Sequence, residues 1–113
     1  MLSETAPILL VFCTVPDTET AQRLARTLVE ERLAACVNIL PGVLSGYRWQ
    51  GALQQDGELL LICKTTAATY AALEARLREL HPYELPECIA VEARAGLPAY
   101  LDWIRAQTRE DTD

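Results

Sequence analysis

The sequence predicts an α+β domain of the split β-α-β, ferredoxin-like type. Three observations carry this. Apolar strand-like runs and helical spacings alternate in the order β-α-β-β-α-β, the second and third strands follow one another with no helix between them, and one extra short helix closes the chain. At 113 residues the chain has the length of one domain, expected to fill positions 1–113 with a core from about 8 to 105.

The elements follow in order. Residues 8–15, Ile-Leu-Leu-Val-Phe-Cys-Thr-Val, form a short apolar run ended by Pro16, as a central strand buried on both faces would. Asp17 is a natural N-cap, and Ala21, Leu24, Ala25, Leu28, Val29 and Leu33 recur at helical spacing, which predicts a helix over 18–33. From Ala35 to Trp49 the pattern is strand-like, but Pro41-Gly42 interrupts it where a regular ladder needs an N–H, so a bulge is expected there. A third strand runs from Leu53 to Thr65, and the turn before it lies at Gln50-Gly51 or at Asp56-Gly57, the latter being the stronger local signal.

Thr66 can cap a second helix that shows Tyr70, Leu73, Leu77 and Leu80 on one face and stops near His81, because Pro82 disfavours helical backbone in the residue before it. Glu87 to Ala93 reads as the fourth strand, beside the first, so that the first strand lies between the third and fourth and both helices cover one face. Pro98 opens a short helix carrying Tyr100, Leu101, Trp103 and Ile104, and a frayed tail is expected from Gln107 onward.

Half the residues are hydrophobic and 23% are charged, which excludes a disordered or low-complexity chain. Sixteen acidic residues against 10 basic ones give a net charge of −6, opposite to the footprint that neutralises nucleic-acid phosphates. No apolar run approaches the roughly 20 residues needed to cross a bilayer, and Met1-Leu2-Ser3-Glu4 lacks the basic start of a signal peptide, so a soluble cytoplasmic protein is expected. Cys13, Cys36, Cys63 and Cys88 are widely spaced with no C-x-x-C pair, which argues against a structural zinc and for small reduced core residues.

A turn at Gln50-Gly51 would make the second strand about 15 residues long, roughly 50 Å at 3.3 Å each, against a usual five or six. Such an arm, bearing Val43, Leu44, Tyr47 and Trp49, leaves edge and apolar surface uncovered unless copies of the same chain cover it. An obligate homo-oligomer is expected, with Tyr47 and Trp49 as interface anchors.

Six stretches together resemble the CutA family of divalent-cation-tolerance proteins: Cys13-Thr14-Val15-Pro16-Asp17, residues 33–38 (Leu-Ala-Ala-Cys-Val-Asn), residues 41–51 (Pro-Gly-Val-Leu-Ser-Gly-Tyr-Arg-Trp-Gln-Gly), Lys64-Thr65, His81-Pro82-Tyr83-Glu84-Leu85-Pro86-Glu87, and Tyr100-Leu101-Asp102-Trp103-Ile104. The resemblance implies a ferredoxin-like subunit in a tight homotrimer, a cytoplasmic location in bacteria, and a hairpin tip at Gln50-Gly51. It also implies an association with tolerance to copper and other divalent metal ions and a capacity to bind them. Animal members are linked to anchoring acetylcholinesterase, and the trimers resemble PII signalling proteins. No settled catalytic activity comes with the family.

The topology gives Cys13 a second reading. The fourth strand starts at Glu87 beside the end of the first, and the second helix ends on the same side, so Cys13, His81 and Glu87 can converge. Thiolate and imidazole suit copper or zinc, and the family pattern makes Cys13 and His81 candidate copper ligands. Some relatives carry a further histidine where this chain has Leu80, which argues for weak or subunit-shared binding. Against the ligand reading stand packing for Cys13 and a dipole-complementing helix end for His81. Glu58, Glu84, Glu87 and Glu92 are expected as solvated rim charges, while Lys64 and Tyr83, with Glu87, are expected at one sheet rim, lining a subunit cleft for a small metabolite. No Gly-rich phosphate loop or hydrolase triad is present, so no enzyme is expected. The function expected is a homotrimeric protein that binds copper or other divalent ions; the rivals are a PII-like module binding a metabolite, and a structural trimer offering a protein-binding surface.

Overall fold

In the computed structural model, residues 6–109 are described. The elements are β1 (Ile8–Val15), α1 (Thr18–Glu30), β2 (Cys36–Trp49), β3 (Ala52–Thr66), α2 (Tyr70–Leu80), β4 (Ile89–Glu92) and α3 (Pro98–Gln107). They form a four-stranded sheet in the order β2-β3-β1-β4, with every neighbouring pair antiparallel. The expected ferredoxin-like arrangement is therefore present, with β1 between β3 and β4.

The sheet has two unlike faces. Along β1 the side chains of Val11, Cys13 and Val15 are fully buried against Leu24 and Leu28 of α1, Leu73 and Leu77 of α2, and Leu61 and Cys63 of β3. The alternate residues, Leu10 and Phe12, pair across to Val91 and Ile89 on β4 and to Lys64 and Ile62 on β3, and form the other face. Ile89 there is 60% exposed and Val91 49%.

Local chemistry sets the boundaries. The Asp17 carboxylate accepts from the Thr20 N–H at 2.7 Å and starts α1. The helix ends at Glu30, earlier than the expected 33, because Arg32 turns left-handed with φ 60° while the Leu33 and Ala34 N–H groups both bond Leu28 O. The Arg32 guanidinium donates to Ala106 O at 2.6 Å and Gln107 O at 3.1 Å, which holds that turn.

β2 slips by one residue against β3 between Leu40 and Val43, with Gly42 at φ 83°, as Pro41-Gly42 led one to expect. The hairpin turns at Gln50 (φ 50°) and Gly51 (φ 81°), with Trp49 paired to Ala52. Two successive positive φ angles make a type I′ turn, the form that matches strand twist. Gly57, the stronger local signal, lies inside β3 opposite Leu44. The arm gives the molecule extents of 48 × 27 × 24 Å.

α2 starts at Tyr70 because residues 67–69 form a turn in which Thr69 N–H bonds the Thr66 hydroxyl at 3.3 Å; it stops at His81, whose backbone is extended before Pro82. β4 is shorter than the expected 87–93. The expected frayed tail is tied down as far as Arg109: Thr108 is buried, Arg109 N–H bonds Arg32 O and the Thr69 hydroxyl donates to Arg109 O. Residues 1–5 and 110–113, including the expected signal-free start, lie outside the described residues.

Candidate functional site

Thr14, near the end of β1, is the junction of the residues singled out by sequence. Its carbonyl accepts from His81 Nε2 at 2.8 Å, and the Cys13 thiol donates to the same oxygen at 3.7 Å. Its hydroxyl donates to Glu87 Oε1 at 3.4 Å. The Tyr83 N–H donates to His81 Nδ1 at 3.1 Å, so Nδ1 is the acceptor and Nε2 carries the proton. The His81 and Tyr83 rings pack with centroids 4.7 Å apart.

The structure brings Cys13, His81 and Glu87 to one place, but not into one coordination sphere. Cys13 faces the helices and is fully buried, whereas Glu87 is exposed beside Thr14 on the other face. Burial, then the neighbouring Cys63, Cys88, Glu87 and Glu58, pushes the Cys13 thiol far above the ordinary thiol range and opposes the thiolate a soft ion needs. Both imidazole nitrogens are engaged. Among the described residues no three His, Cys, Asp or Glu side chains are placed to hold one ion. As folded in one chain, the set does not fit a copper or zinc centre.

On the Glu87 side lies a cleft of about 790 Å³, walled by Thr14, Tyr47, Trp49, Glu58, Tyr83 and Glu87 among others. The Tyr83 hydroxyl donates to Glu58 Oε2 at 2.7 Å and the Tyr47 hydroxyl donates to Asp56. Burial and then the bond to Glu58 hold the Tyr83 hydroxyl well above the ordinary phenol range. Glu58, expected as a solvated rim charge, is 8% exposed; it stands opposite Val43, just past the bulge, where the loop after α2 covers it. Only that loop's return could reveal this, and the strand pattern carries no sign of it.

Lys64 does not join Tyr83. β3 runs antiparallel to β1, so Lys64 lies beside Leu10 near the start of β1, while Tyr83 and Glu87 lie at its end. Six residues of strand separate Lys64 from Glu58, about 20 Å. The Lys64 ammonium instead donates to the Tyr100 hydroxyl at 3.1 Å and sits 5.4 Å from the centre of that ring.

The profile of one protein family, "CutA1 divalent ion tolerance protein", matches residues 9–107. The chain belongs to the CutA family. The "Divalent-cation tolerance protein CutA" of Thermus thermophilus is 52% identical over 98 residues, covering 87% of this chain and 95% of that protein. "Protein CutA 1, chloroplastic" of Oryza sativa is 44% identical over 108 residues, which are 96% of this chain but 61% of the rice protein. The crystal structure of CutA1 from Oryza sativa superposes with a TM-score of 0.93 at 44% identity, over 96% of this chain and 100% of that one. The CutA name describes ion tolerance and not a catalysed reaction. Among the described residues no helix is long and apolar enough to cross a membrane.

Proposed function

We propose that this protein is a cytoplasmic divalent-cation-tolerance protein that works as a homotrimer and binds copper or other divalent ions, without catalysing a reaction. The observation that carries the reading is the uncovered apolar face of the sheet together with apolar surface on both sides of the arm, in a chain of CutA descent. Leu44 and Leu53 on the arm are 74% and 73% exposed, Ile89 on the sheet face is 60%, and Tyr47 and Trp49 stand near the tip. Surface of this kind is stable in water when further copies cover it.

The ion contacts, on this reading, are shared between subunits. Within one chain Cys13 and His81 are engaged with Thr14 and Tyr83, and Glu87 is the member of the set turned outward. Calorimetric titration of Cu(I), Cu(II) and Zn(II), with sedimentation of the same samples, tests this on the wild type, Glu87→Gln and Cys13→Ala/His81→Ala. Saturable binding to a trimer, weakened by Glu87→Gln, is the expected result. A monomer, or weak binding that ignores every one of these substitutions, would overturn it.

The cleft favours a second reading, a PII-like module that takes a small metabolite between Tyr83 and Glu58 and the arm. Its mark is a metabolite-dependent thermal shift that survives Cys13→Ala and His81→Ala.

A further inference from the structure

Four free cysteines are present, and the strand register sorts them. Phe12 stands opposite Ile89 as the last pair of the antiparallel β1–β4 ladder, and the same register continued one step sets Cys13 opposite Cys88, and two steps sets Thr14 opposite Glu87. The hydrogen bond from the Thr14 hydroxyl to Glu87 at 3.4 Å sets these two residues side by side, as the continued register requires. Cys13 and Cys88 therefore share the helix-covered face, where Cys88 Sγ lies 3.5 Å from the Tyr70 hydroxyl at the start of α2.

Residues directly opposite in an antiparallel pair have Cα atoms about 4.5 or 5.5 Å apart. Both separations fall within the roughly 4.4 to 6.8 Å that a disulfide spans. No other pairing of the four meets this with both side chains on one face. Cys63 stands opposite Val11, a diagonal from Cys13, with Cα atoms about 7 to 8 Å apart. Cys63 and Cys88 lie on the two flanks of β1, two strand spacings or about 10 Å apart. Cys36, opposite Lys64 on β2, points to the other face.

We infer that Cys13 and Cys88 form a reversible cross-strand disulfide when the protein meets hydrogen peroxide, with Cys88 oxidised first and Cys13 resolving it. Cys88 is half-buried and within reach of solvent, while Cys13 is fully buried. Access to solvent therefore lets peroxide reach Cys88 before Cys13. The Cys88 thiolate attacks one peroxide oxygen; the S–O bond forms, the O–O bond breaks, and the departing hydroxide takes a proton to leave as water. The Cys13 sulfur then attacks the sulfenic sulfur; the S–S bond forms, the S–O bond breaks, and hydroxide leaves with the Cys13 proton as a second water. The two thiols lose two electrons and two protons, and the peroxide is reduced to water.

The bond fastens the segment that walls the cleft. His81 already holds one end of it to Thr14 O, and the disulfide would hold the other end to Cys13. Oxidation therefore stiffens residues 82–88 without moving β1.

The test treats the reduced full chain with a stoichiometric amount of hydrogen peroxide, unfolds it in an alkylating reagent and maps the peptides by mass spectrometry. The expected result is one intramolecular Cys13–Cys88 link, a loss of mass equal to two hydrogens, reversal by dithiothreitol, and full alkylation of Cys36 and Cys63. Amide exchange over 82–88 should slow on oxidation. In Cys13→Ser the reaction should stop at a Cys88 sulfenic acid that dimedone traps; in Cys88→Ser, where only a half-buried side chain changes, Cys13 should remain a thiol. A link that includes Cys36 or Cys63, a link between chains, or Cys88 passing to sulfinic acid in the wild type with Cys13 still free would overturn the proposal.

Discussion

The two faces of this one sheet are built from the same strands and have different fates. On the helix side Val11, Cys13, Val15, Leu61 and Cys63 are fully buried, and every buried polar side-chain atom among the described residues has a hydrogen-bond partner. On the other side Leu40, Ile89 and Val91 keep between 40% and 60% of their surface exposed, and the arm extends the same apolar character outward. The contrast teaches that one half of the fold is complete within the chain, whereas the other leaves apolar surface uncovered, the surface that the proposed homotrimer would bury. Stability and assembly should therefore be separable by mutation.

The largest expected effect lies on the helix side. Leu61→Ala empties a fully buried position between β1 and the helices and should lower unfolding free energy by about 2 to 5 kcal/mol, read as a lower denaturant midpoint. Next comes the arm: Trp49→Ala should cost the assembly about 2 to 4 kcal/mol, with the oligomer dissociating in sedimentation at concentrations where the wild type stays associated. A trimer indifferent to the loss of Trp49 would break the division between the two faces.

A third prediction uses pH. Burial, first among the causes, pushes the Cys63 thiol from the ordinary 9.0 up to about 12, and pushes Cys13 in the same direction. Folded values above unfolded ones mean that the unfolded chain gives up these protons first. Their contribution is thus complete below pH 9 and is lost as pH rises from 9 towards 12, by roughly 1.4 kcal/mol per thiol for each pH unit at full slope. Chemical denaturation of the reduced protein at pH 8 and pH 10 should show the fall, and Cys63→Ala should make the slope shallower. An unchanged slope would mean that Cys63 titrates normally and that this side of the sheet is open to water.

What the sequence could disclose about these regions followed its range. Strand order, the bulge at Pro41-Gly42 and the helix stop before Pro82 rest on chemistry within a few residues, and all three appear. The end of α1 did not follow its periodicity, because Arg32 is held by carbonyls of α3 far along the chain. The site shows the same division. The neighbourhood of Cys13, His81 and Glu87 was legible from topology, but the Tyr83 N–H on His81 Nδ1 was not. The burial of Glu58 and the distance of Lys64 from Tyr83 depend on register and loop return, which no local pattern encodes.

The smallest effects test the arm itself, through two glycines that competed for its turn. Gly51 has φ 81°, a left-handed backbone that costs a side-chain-bearing residue about 1 to 2 kcal/mol. Gly51→Ala should therefore destabilise by about that much, or let the tip relax into another turn, with the change confined to the arm in an amide-exchange map. Gly57 lies in regular strand, and a Cβ added there meets nothing within 4 Å. Gly57→Ala should be neutral or stabilising by at most about 1 kcal/mol, because it restricts the unfolded chain at no cost to the folded one. Clear destabilisation of the assembled protein by Gly57→Ala, with no loss in the dissociated chain, would place a neighbouring subunit against that open position, on the side of the arm that continues the helix-covered face, so that contact would reach both sides of the arm.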